Sequence, residues 1–82
     1  MSIEPKTHDA SDVDRAVEAF RKNRKLQRML TDVDRGRLAF YPVQLFVENV
    51  LKYLGEDLRS WRDWTPTVLE AAGHVLRAKR GR

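Results

Sequence analysis

Arg21, Arg24, Lys25 and Arg28 stand at i, i+3, i+4 and i+7, with Lys22 beside them. A helix of about 3.6 residues per turn sets such a series in one row along one face. A row of cations is what contact with a phosphate backbone requires, each contact releasing a condensed counterion. Arg77, Lys79 and Arg80 offer a second basic group near the C-terminus. The plainer reading of both groups is a solvated face that keeps a small chain of net charge +4 dispersed. Residues 21–28 contain no aromatic side chain, which argues against base stacking by that segment itself.

A second cluster is aromatic. Trp61 and Trp64 alternate with Arg59 and Arg62. As structure, the tryptophans close one end of a bundle and the arginines lie over them in cation–π contacts. As function, an exposed Trp/Arg pair has the composition of an interface hot spot. Trp61 is in phase with Leu58 and is expected in the core, whereas Trp64 is the interface candidate. Leu45 adds an apolar point to the polar side of the central segment, with Tyr53 nearby.

Catalytic chemistry finds little to work with. His8 lies in a segment without periodicity, and His74 falls on a polar helix face between Glu70 and Arg77. Cysteine is absent, so there is no thiolate and no disulfide. Metal-ligand spacing, a glycine-rich phosphate loop and a nucleophile–base pair are all missing. The expectation is a non-enzyme with no cofactor, no metal and no small-molecule substrate. A helix-turn-helix centred on Gly55 fits poorly. Leu51 is bulky where close approach is needed, Glu56 is charged where an apolar residue is usual, and two tryptophans occupy the would-be reading helix.

The elements that must carry these residues are helical, and a single all-α domain is expected. Its most strongly patterned part is 40–55, where Val43, Phe46, Val47, Val50, Leu51 and Leu54 form one stripe. Pro42 suits a first helical position and Gly55 a left-handed helix end, so a helix over 42–54 is predicted. Residues 38–41 are expected to run extended into Pro42, after a turn at 35–37.

Ser11 opens the first helix, expected over 11–34, with an acidic first turn. Val13, Ala16, Val17 and Phe20 form one face, and Leu26, Met29, Leu30 and Val33 form another. The two faces differ by roughly 140° about a continuous axis. Either the helix breaks near residue 23, or one long helix touches two bodies. Asn23 favours the break. The last helix is predicted over 66–79, starting at Pro66, with Val68, Leu69, Ala72, Val75 and Leu76 inward and Gly73 allowing close approach. A short helical turn is expected within 57–64. Three principal helices result, in a domain spanning 11–80 between an arm (1–10) and a frayed end (81–82). The core is expected to gather Val17, Phe20 and Leu30, then Phe46, Val47, Val50, Leu51 and Leu54, then Trp61, Leu69, Ala72 and Leu76.

No signal peptide or membrane-spanning run is visible in these 82 residues, so a cytoplasmic protein is expected. A small chain without staples gains stability from self-association or docking. The leading functional expectation is a regulatory or adaptor protein that binds a protein partner or a second copy of itself. Its surface would comprise Leu26, Met29, Leu45, Tyr53 and Trp64. The alternative is nucleic-acid binding through Arg21, Lys22, Arg24, Lys25 and Arg28, joined by Arg77, Lys79 and Arg80. A second alternative is an accessory subunit of a larger complex.

Overall fold

Asn23 ends one helix and begins the next. In the computed structural model, which describes residues 10–34 and 43–80, α1 (Ala10–Lys22) meets α2 (Arg24–Asp34) at this single residue. The Asn23 N–H donates to the Ala19 carbonyl at 3.0 Å, and its carbonyl accepts from the Gln27 N–H at 3.0 Å. Its side-chain oxygen accepts from the Leu26 N–H at 3.1 Å, the contact expected of an asparagine N-cap. The Gln27 carboxamide then donates to the Arg21 carbonyl at 2.7 Å, closing the open end of α1. The bend therefore leaves few backbone groups unsatisfied. It also removes the 140° conflict, because α1 and α2 each turn their own stripe inward.

The fold is an all-α bundle, with no strand among the described residues. After α2 come α3 (Val43–Leu54), a 3-10 turn (Leu58–Ser60) and α4 (Trp61–Arg80). The bent α1–α2 pair counts as one principal helix, so the expected three are present with the expected short turn. The arm, the 35–37 turn, the extended approach to Pro42 and residues 81–82 lie outside the described residues. No described helix is long and apolar enough to cross a membrane.

α3 follows its sequence pattern closely. Phe46, Val47, Val50 and Leu51 are buried, and the Phe46 ring stacks on Phe20 of α1 with centroids 5.7 Å apart. Gly55 ends the helix at φ +76°, where a side chain would be strained. Its N–H donates to the Lys52 carbonyl at 3.3 Å, and the next N–H, of Glu56, reaches the Leu51 carbonyl at 3.0 Å. This pair of bonds is the Schellman ending. The Glu56 carboxylate turns back to α1 and accepts from Arg15 at 2.8 Å. Asp57 then caps the 3-10 turn by accepting from the Arg59 N–H at 2.9 Å.

α4 departs from expectation. It begins at Trp61, not Pro66, and runs straight through the proline. Pro66 has no N–H for the Arg62 carbonyl, and a proline in a helix interior costs about 3 kcal/mol. Here Pro66 is exposed, so water reaches that side of the helix. The extra turn extends the inward stripe to Trp64, Val68, Ala71, Ala72 and Val75. Trp64 is 1% exposed and is the largest fully buried side chain, with the Arg15 guanidinium 5.7 Å from its ring. The two tryptophans thus exchange the roles expected of them. Trp61 sits at the core's edge, partly buried, with Arg62 5.1 Å above its ring, while Arg59 pairs with Asp57 instead. Leu69, expected inside, is 46% exposed, and Val17, Leu54 and Leu76 are only partly buried.

Gly73 has no structural need to be glycine. A β-carbon built there meets the tip of Arg77 on its own helix at 3.4 Å and no neighbouring helix, so it is not a close-approach site. Gly73→Ala is expected to raise unfolding stability by about 0.5–1 kcal/mol, through the lower backbone entropy of the unfolded chain. Urea denaturation followed by circular dichroism would read this as a higher midpoint with an unchanged slope. A lower midpoint would mean that the Arg77 side chain cannot move aside.

Candidate functional site

The cations of α2 owe their position to the Asn23 elbow. With Leu26, Met29 and Leu30 turned into the core, the opposite face of α2 must carry Arg24, Lys25 and Arg28 into solvent. Leu26 is 1% exposed and Met29 5%, so both belong to the core, with only the edge of Met29 reaching a cleft. With Trp64 also buried, three of the five side chains expected to form a protein-binding surface belong to the core. Leu45 and Tyr53 remain, each 43% exposed on α3.

Two clefts flank α2 on its α4 side. The larger, about 580 Å³, has Phe20, Leu30, Val75 and Ala78 as its apolar lining and Arg21 and Lys79 as its cations. The other, about 370 Å³, is lined by Arg24, Arg28 and Thr31. Gln27 and Lys79 belong to both. The structure therefore joins the two basic segments: Arg21, Arg24 and Arg28 from the bent helix meet Lys79 from the end of α4. Among the described residues, no carboxylate forms an ion pair with any of these four.

On the α3 side a third cleft, about 300 Å³, is lined by Lys25, Arg28, Met29, Leu45, Asn49 and Lys52. Arg28 borders clefts on both flanks, so the basic surface is continuous over α2. Lys52 belongs to it, although its position in sequence marks it only as polar.

Two expected members stand apart. Lys22 pairs with Glu18 at 2.9 Å, and hydrogen bonding followed by charge raises its ammonium pKa above the usual lysine value. Arg77 donates to His74 Nδ1 at 3.1 Å and lies along Gly73, away from the clefts. The opposite ring nitrogen of His74 lies 3.6 Å from Glu70, so the trio is an exposed helical arrangement, as its spacing predicts. Arg80 closes α4, and its side chain lies outside the described residues, as does His8.

Gln27 is the residue that sequence reasoning missed. Its amide nitrogen is committed to the Arg21 carbonyl, while its side-chain oxygen has no partner among the described residues. The Thr31 hydroxyl bonds the Gln27 backbone carbonyl at 3.0 Å, one turn further along. Its place among the cations, between Arg24 and Arg28, was visible, but its two-cleft position depends on where α4 ends. No group of three or more metal-ligating side chains is present among the described residues. Comparison of the chain with protein families, curated proteins and solved structures returns no match.

Proposed function

We propose that this domain is a non-catalytic nucleic-acid-binding module working in the cytoplasm, with its phosphate contacts on the α2 face. The observation that carries the proposal is the meeting of Arg21, Arg24, Arg28 and Lys79 without a neutralising carboxylate among the described residues. Like charges at i, i+3 and i+4 destabilise an isolated helix by about 0.2–0.5 kcal/mol per pair. A row of cations with no paired acid among the described residues retains a cost that an anionic partner removes.

The test is fluorescence anisotropy with mixed-sequence DNA and RNA over a series of salt concentrations. Log affinity is expected to fall linearly with log salt, at about 0.9 per phosphate contacted on duplex and less on a single strand. Binding to neither nucleic acid at low salt removes the proposal.

A second reading keeps a protein partner, on the α3 side. Leu45 and Tyr53 support it, exposed in the neighbourhood of Lys25 and Lys52. The mismatched stripes that suggested self-association lend it no further support, because the Asn23 elbow resolves them. Retention of a partner that survives high salt and is lost on Leu45→Asp would establish this reading.

A further inference from the structure

The groove between α2 and α3 combines features that phosphate contacts alone do not use. Its cleft of about 300 Å³ has Lys25, Arg28 and Met29 on the α2 wall and Leu45, Asn49 and Lys52 on the α3 wall. Leu45 is 43% exposed and gives the cleft an accessible aliphatic face, with the edge of Met29 on the other helix. Cations stand on both walls. Lys25, Arg28 and Lys52 are all exposed, and none forms an ion pair among the described residues. No carboxylate lines the cleft. Asn49 donates its side-chain N–H to the Leu45 carbonyl at 2.8 Å, which leaves its amide oxygen without a partner among the described residues. Tyr53, also 43% exposed, follows Asn49 by one turn on the same side of α3.

We infer that this groove binds an acidic segment of a partner protein, seating one aliphatic side chain against Leu45 between flanking carboxylates. The carboxylates pair with Lys25 and Arg28 on one wall and with Lys52 on the other. A backbone N–H of the segment meets the Asn49 oxygen, and Tyr53 extends the contact past the cleft. Charge at the rim speeds the approach, and the aliphatic anchor holds the segment once it has arrived. A nucleic-acid strand satisfies the same cations but sets Leu45 against a polar backbone. The cleft also has no aromatic side chain on which a base could stack. A wholly apolar partner would cover three cations without supplying a counter-charge. The inference rests on the second reading above, to which it gives a chemistry, and it stands whether or not the α2 face binds nucleic acid.

The probe is a synthetic peptide with one leucine set among aspartates and glutamates, titrated into the protein and followed by nuclear magnetic resonance of the backbone amides. Shifts are expected at Lys25, Arg28, Leu45, Asn49 and Lys52. Leu45→Ala keeps every charge and a good helix former. That variant, or alanine in place of the peptide's leucine, is expected to weaken binding about tenfold. Lys25→Gln with Lys52→Gln is expected to weaken it by a similar factor and to flatten its salt dependence. Equal binding of a peptide whose acids are all changed to glutamine and asparagine would overturn the acidic chemistry while leaving a protein partner at Leu45 in place. Indifference to both leucine replacements would overturn the anchor, since charge alone would then hold the peptide. Binding of neither peptide would overturn the inference and the second reading together. A loss of nucleic-acid affinity in Leu45→Ala, with no peptide bound, would assign the groove to the strand instead.

Discussion

Trp64→Ala is expected to cost this domain about 3–5 kcal/mol, the usual penalty for removing a large buried aromatic side chain. Trp64 is the largest of the fully buried side chains and stands on the inward stripe of α4 with Val68, Ala71 and Val75. Its removal leaves a cavity that the surrounding helices fill only in part, and it strips the Arg15 guanidinium of the ring beneath it. Stability of about 0.05–0.15 kcal/mol per residue gives a chain of 82 residues about 4–12 kcal/mol in total. The variant therefore sits near the limit of folding. Trp61→Ala removes a side chain of the same kind from the core's edge and is expected to cost clearly less. Urea denaturation of both variants is the check. Equal losses, or a loss below about 1 kcal/mol for Trp64→Ala, would contradict the assignment of Trp64 to the core.

The second large effect is on binding. Changing Arg21, Arg24, Arg28 and Lys79 together to glutamine is expected to lower duplex affinity more than a hundredfold at about 50 mM salt, and to reduce the salt slope by about 3–4. These side chains have no carboxylate partners among the described residues, so the fold loses little. Relief of like-charge repulsion along the helix even favours a small gain in stability. The control is Arg59→Gln with Arg62→Gln. Arg59 is bound to Asp57 and Arg62 lies over Trp61, both at the opposite end of α4 from Lys79. If the control pair lowers the slope by as much per charge as the four residues do, binding follows net charge and not the α2 face.

These effects also mark where sequence reasoning reached its limit. The α3 stripe and its Gly55 ending were readable because periodicity and a left-handed glycine are local properties. The break at Asn23 was readable too, as a conflict of phase between two apolar faces. Leu26 and Met29 were nevertheless assigned to a surface, although the break itself turns them inward. The tryptophans were exchanged for a different reason. Taking Pro66 as a helix start removed Trp64 from the stripe it completes, whereas burial of that ring outweighs one lost hydrogen bond on an exposed side. The site was half readable. The cations of α2 declare themselves by spacing, but Lys79 is distant in sequence, and its arrival beside Gln27 depends on the length of α4.

The junction at Asn23 also sets what this chain can tolerate as it diverges. One residue closes α1, opens α2 and leaves no slack between them. Spacing is not free. One residue more or less at the elbow turns α2 by about 100°, bringing arginines toward the core and leucines toward solvent. Descendants of this sequence should hold the number of residues between Phe20 and Leu26 fixed.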